Sequence, residues 1–191
     1  MPDLITRTHM TLDGVERTAV YSPCEKYRYS LLIRWDRTKN PKCFIGLNPS
    51  TATELEDDPT IRRCIDFAQI WGAGGLLMLN ACAYRATDPK VMLAFDGDKI
   101  GPSNTIRDLE HIIVDLNTGP PIAAWGKNAK KVHIPTFGSR LKYPLNRADE
   151  LRVLMGPMDC LGLNGDGTPV HPLYQPKTAV PIPYNYARKA A

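Results

Sequence analysis

Four short segments carry the residues of this chain whose types suit chemistry: Gly46-Leu47-Asn48-Pro49-Ser50, Leu76 to Asn80, Ala123-Ala124-Trp125-Gly126 and His171-Pro172-Leu173-Tyr174. A neutral amide is a poor base, but it donates and accepts at once, so Asn48 suits orienting a water and Asn80 suits reading the edge of a base. Gly46 gives the backbone room to turn or to approach a ligand, and Pro49 stiffens the exit past Asn48. His171 titrates nearest neutral pH and can support charge on a leaving group. Each has an ordinary use as well: loop caps for the amides, core packing and a turn for Trp125-Gly126, a backbone-bonded loop residue for His171.

The elements that must position these groups follow from patterning. Tyr27 to Trp35 alternates, with Tyr29, Leu31, Ile33 and Trp35 toward a core and Arg28, Ser30 and Arg34 toward water, which predicts an antiparallel strand at a sheet edge. Cys43 to Leu47 is apolar without alternation, as in a strand covered on both faces. Further strands are predicted at Leu76 to Asn80, Ile122 to Trp125 and Met158 to Leu163. Asp58-Pro59 and Asp88-Pro89 read as helix caps followed by proline in the first turn, and Asn104 and Asn146 open two more helices. Lys127 to Val132 is a candidate short helix, and Asn164 to Gly167 is a turn.

Strands alternating with helices imply an α/β fold with a mostly parallel sheet of about four core strands, plus an N-terminal antiparallel edge strand or hairpin. One domain is expected over residues 1–191, with edge strands in 1–40, a core in 41–168 and a Pro/Tyr-rich loop and tail in 169–191. Ligands of such sheets bind at the carboxyl ends of the strands, where three of the four segments end.

Of 191 residues, 43% are hydrophobic and 23% charged, an ordinary globular balance, and the net charge of +4 permits a polyanionic partner without requiring one. Lys127, Lys130, Lys131, Arg140, Lys142, Arg147 and Arg152 cluster after the third strand and form either a phosphate-binding rim or a solvated face. Arg62 and Arg63 either extend that rim or pair with the acids upstream. Five scattered cysteines without a Cys-x-x-Cys pair argue against a disulfide framework and a zinc or iron–sulfur site. There is no basic-then-apolar leader and no membrane-length apolar run, so a cytoplasmic protein is expected, with no membrane or protein partner predicted.

In this order the segments resemble the uracil-DNA glycosylase superfamily. Gly46-Leu47-Asn48-Pro49 is similar to the Gly-Ile-Asn-Pro form of its mismatch-specific branch, and Leu77-Met78-Leu79-Asn80 to its Leu-Leu-Leu-Asn strand. Ala124-Trp125-Gly126-Lys127-Asn128-Ala129 resembles Leu-Trp-Gly-x-x-Ala, and His171-Pro172 the start of a His-Pro-Ser-Pro loop. Over nearly the whole chain, Asn48 to Ala52, Asp57 to Cys64, Tyr84 to Pro89 and His171 to Tyr174 resemble a bacterial and phage family catalogued as domain of unknown function 1643.

The superfamily resemblance implies a three-layer α/β/α architecture and a DNA glycosylase-like hydrolase of the N-glycosidic bond. Its base would be flipped into a pocket made by Gly46, Leu47, Pro49, Ser50, Asn80, Trp125 and Gly126. By the same resemblance Asn48 holds the attacking water and His171 stabilises the departing base. Ser50 in place of Gly, and no aromatic close behind Pro49, point away from uracil to a larger or modified base, with Tyr84 or Tyr174 as the aromatic face and Leu173 as the wedge. DNA is the expected partner, and no metal or organic cofactor is required. Asp57 or Asp58 is an alternative base. Two other readings are a non-catalytic module that binds modified nucleic acid or a nucleotide, and a hydrolase of free nucleosides or nucleotides.

Overall fold

A computed structural model describes residues 3–134 and 146–184. Eight strands form one sheet: β1 (Ile5–Met10), β2 (Glu16–Tyr21), β3 (Arg28–Arg34), β4 (Pro41–Gly46), β5 (Gly75–Asn80), β6 (Ile122–Ala123), β7 (Asp159–Cys160) and β8 (Ile182–Pro183). Their spatial order is β1-β2-β3-β5-β4-β6-β7-β8. The fold is α/β, but the sheet is mixed and not mostly parallel: four of its seven pairings are antiparallel. The parallel part is the central run β5-β4-β6-β7. The antiparallel excess comes from a meander at the amino end and from β8, none of which carries the strand–helix rhythm that signals parallel pairing.

The edge assignment of β3 is likewise corrected, because β3 pairs with both β2 and β5, and β1 is the edge on that side. The outer face of β3 is covered as well: Arg28 donates to the carbonyl of Ala52 in the loop after β4, and Arg28 and Ser30, expected in water, are buried along with Tyr29, Leu31 and Ile33.

Among the described residues, four α-helices accompany the sheet: α1 (Pro59–Ile70), α2 (Pro89–Ala94), α3 (Ile106–Asp115) and α4 (Arg147–Leu154). Asp58, Asp88 and Asn146 cap α1, α2 and α4 as their positions predict. The cap of α3 is Thr105, in a capping box with Asp108, one residue beyond the expected start. Asn104 is drawn away by the sheet: its amide donates to the carbonyls of Asn80 (3.0 Å) and Ala81 (3.3 Å).

Alternation along β4 and β5 sends side chains to two separate cores. Cys43, Ile45, Leu77 and Leu79 join Leu109, Trp125 and Leu151 in one, while Phe44, Leu76 and Met78 join Ile61, Cys64 and Phe67 of α1 in the other. Among the described residues, no helix is long and apolar enough to cross a membrane.

Candidate functional site

The carboxyl ends of β4, β5 and β6 open onto one cavity of about 610 Å³. Asn48, Asn80 and His171, far apart along the chain, all line it. Its floor is set by the parallel register, in which Gly46 of β4 stands opposite Asn80 of β5. The two chains stay zipped beyond the strands: the Ala81 amide donates to the Gly46 carbonyl and the Cys82 amide to the Leu47 carbonyl, each at 2.8 Å.

The same zipper fixes Asn48. Its Nδ2 donates to the carbonyls of Ala86 (2.8 Å) and Pro49 (3.1 Å), while the Ala86 amide donates to the Pro49 carbonyl (2.9 Å). Both amide protons are engaged by backbone, so the oxygen is the functional end. An acceptor oxygen at the cavity wall suits holding one proton of a water.

Asn80 is the reverse case. It is 1% exposed, and neither its nitrogen nor its oxygen has a partner among the described residues. Leaving a buried polar group unmatched costs about 1–3 kcal/mol, so an amide kept in this state at a cavity wall points to a ligand that supplies the missing partners. Gly46 makes the space for it: a Cβ there would sit 2.5 Å from Met78 Cε and 3.0 Å from Asn80 Oδ1. Gly46→Ala should therefore displace the Asn80 amide, lower stability by about 1–3 kcal/mol and weaken ligand binding, as thermal melts with and without ligand would show. Gly46 thus serves close packing between strands, and its φ is not positive.

Trp125, 1% exposed, packs in the core edge-on to Tyr184 at 5.7 Å and also reaches the cavity. Gly126 follows with φ +66°, a left-handed turn that glycine takes without strain. From there the chain enters a 3-10 turn, Lys127–Lys131, in place of the expected helix.

His171 caps another 3-10 turn, Pro172–Tyr174, its Nδ1 accepting from the Leu173 amide at 3.3 Å. That bond assigns the proton of neutral imidazole to Nε2. Burial pushes the pKa below its ordinary 6.5, opposed by the weaker pull of Asp58. The group is thus a neutral donor near pH 7, suited to a developing anion. In stability, the folded protein binds fewer protons at this site than the unfolded chain, so stability is full above 6.5 and is lost as pH falls through the lower folded value.

Of the remaining expected site residues, Leu47, Ser50, Tyr174, Lys127 and Asp58 line the cavity. Asp58 does so while its Oδ1 accepts from the Ile61 amide at 2.8 Å, so it caps α1 and faces the site at once. Asp57 instead holds Arg17 in an ion pair at 2.5 Å, outside the lining. Pro49 and Leu173, expected at the pocket, are not among the residues that line it. Tyr84 is also outside, its ring stacked on Phe95 at 4.0 Å, so of the two expected aromatic faces only Tyr174, tilted 5.7 Å from His171, lines the cavity, together with Trp125.

The basic rim is reduced to Lys127 at the wall. Lys130 donates to the Asp166 carbonyl at 2.6 Å, Lys131 is exposed away from the lining, and Arg140 and Lys142 lie outside the described residues. Arg147 is 1% exposed and binds the Ala81 and Asn104 carbonyls, both at 2.7 Å, which makes it an internal brace behind Asn80. Arg62 donates to the Asp57 carbonyl at 2.6 Å and Arg63 to the Gln175 carbonyl, so neither extends a free rim.

Several polar residues lining the cavity were not among the expected site residues: Arg28, Thr60, Thr87, Asn128, Asn164 and Gln175. Asn164 lines it from the predicted turn, its amide spent on Thr168 and Pro169. Arg28 lines it from the start of β3, 2% exposed, and only its mismatch with burial, visible once β3 is known to be interior, could have flagged it.

The family described as protein of unknown function (DUF1643) matches residues 28–173, and the chain belongs to that family. No curated protein and no solved structure matches the chain.

Proposed function

We propose that this DUF1643 protein hydrolyses the N-glycosidic bond of a modified or damaged base in DNA, the base being flipped into the cavity between β4, β5 and β6. The observation that carries the reading is the buried, unpartnered amide of Asn80 beside the acceptor oxygen of Asn48 and the neutral imidazole of His171. Asn80 would pair with the base edge, Asn48 Oδ1 would hold water toward the sugar carbon, and His171 Nε2–H would stabilise the base as it leaves with the bonding electrons. The water's proton needs an acceptor, and Asp58 is the carboxylate inside the cavity.

Support for a relation to the uracil-DNA glycosylase superfamily comes from the order in which the motif residues meet at the ends of a central parallel run. A cavity of about 610 Å³ falls within the size of small-ligand sites. The DNA arm of the reading rests on that resemblance and on Lys127 at the wall.

The test is release of free base, by mass spectrometry, from DNAs carrying varied base modifications, with abasic sites scored by alkaline scission. Release should occur from at least one modified DNA, and none from a broad panel would sink the catalytic reading. The rate should fall on acidification with a midpoint below 6.5, and His171→Gln should lose that limb. A rate that climbs in acid would mean a protonated imidazole acts instead.

A second reading is favoured by one detail: both amide protons of Asn48 are bound to backbone, as in a loop brace. The site would then bind a modified nucleic acid or nucleotide without cleaving it. Binding that survives Asn48→Ala, with no base released, would select that reading.

A further inference from the structure

Among the described residues, three arginines are almost fully enclosed: Arg17 at 6%, Arg28 at 2% and Arg147 at 1% exposure. Two are neutralised in place. Arg17 pairs with Asp57 at 2.5 Å and donates to the carbonyls of Glu54 and Thr53. Arg147 pairs with Glu150 at 2.5 Å and donates to two more carbonyls.

Arg28 is different. No carboxylate among the described residues lies within 4.0 Å of its nitrogens, its Nη1 donates to the Ala52 carbonyl, and its buried Nε has no partner. It is also the one of the three that lines the cavity. A charge removed from water without a counter-charge is costly, and proteins that bury one supply a partner.

We propose that the ligand brings that partner: the pocket takes a compound bearing an anionic oxygen group, carboxylate or phosphate, placed against Arg28. Guanidinium suits this through its planar, two-pronged donor geometry. The charged and titratable groups near Arg28 are few. Asp58 shares the cavity wall but serves the α1 cap, Glu54 accepts from the Tyr21 hydroxyl at 2.7 Å, and Arg85 lies over the Tyr21 ring at 5.1 Å and adds positive charge. With Asn80 supplying a neutral donor–acceptor pair in the same cavity, the matching ligand is a nucleobase edge plus an anion. The anion is either a carboxylate on the base or the phosphate of a nucleotide.

This deepens the proposed function in resting on the same cavity, but it needs no bond to break. Calorimetric titration of the intact protein with 2′-deoxyuridine, 5-hydroxymethyl-2′-deoxyuridine, 5-carboxy-2′-deoxyuridine and the 5′-monophosphate of each separates the sources. At least a tenfold preference for the carboxylated nucleoside over the hydroxymethyl one assigns the anion to the base. The same preference for every monophosphate over its nucleoside assigns it to phosphate. Arg28→Gln should abolish whichever preference appears, and Arg28→Lys, which keeps the charge, should retain part of it and serves if the glutamine variant does not fold. Equal affinity for charged and neutral probes, or no binding of any anionic probe at millimolar concentration, overturns the proposal. Base release from DNA carrying an uncharged modified base, at a rate untouched by Arg28→Gln, would show that neither the base nor a backbone phosphate relies on Arg28 and would overturn it while leaving the glycosidase standing. Anion binding without release does the reverse.

Discussion

Asn80→Leu should make the empty protein more stable and a worse binder at the same time. Both polar atoms of Asn80 are buried and have no partner among the described residues. Leucine has the same branched arrangement of side-chain atoms, somewhat larger, and no polar atom to desolvate, so removal of the mismatch should gain about 1–3 kcal/mol. At about 2–4 °C per kcal/mol for a chain of this size, the melting temperature rises by several degrees. The backbone around the position is held independently by Asn104 and Arg147, which the substitution leaves alone.

The ligand then loses its two-pronged partner, a contact worth about 1–3 kcal/mol of discrimination, or about five- to 150-fold in affinity. Calorimetry of the free and ligand-bound protein measures both effects. A leucine variant that is destabilised, or that binds as the parent does, would show that Asn80 has a structural partner and no recognition role. Asn80→Asp provides the opposite control, since an unpaired carboxylate at a buried site should lower stability.

The largest kinetic effect is expected at Asn48. Replacing it by alanine removes the acceptor that would hold the water, and the turnover for base release should fall about a hundred- to thousandfold. Affinity for the base should stay within about threefold, because the base is read at Asn80 and not at Asn48. The carbonyl of Ala86 loses its Asn48 donor, while that of Pro49 keeps the Ala86 amide, so about 1 kcal/mol of stability should go as well. Single-turnover rates measured well below the melting transition separate the two effects. A variant that loses stability but keeps its rate would identify Asn48 as a brace and move the water to Asp58. Asn48→Asp should not rescue: a carboxylate would face two carbonyl oxygens where an amide now donates.

Much of this site was legible along the chain. Asn48 and Asn80 were marked by standing at the tips of short apolar runs, and strand-tip polarity survives because the ends of buried parallel strands share one side of the sheet. The caps at Asp58, Asp88 and Asn146 were readable because capping is local, set by one side chain and the amides two or three residues on. The start of α3 was missed by a residue because Asn104 is claimed by backbone 24 positions away. Tyr84 was offered as a stacking face, yet Phe95 already occupies its ring.

Local chemistry, then, was settled by the sequence: which segments form strands, which residues cap, and which polar groups end a strand. Neighbours across the sheet were decided only by the tertiary structure. Alternation in β3 describes one strand, and whether its second face meets water depends on β2, β5 and the loops laid over it, so Arg28 changed from a solvated residue to an enclosed one. The same holds for the three buried arginines. Their charge is written in the chain, but which of them finds a carboxylate and which is left facing the cavity is fixed by contacts between residues far apart in sequence.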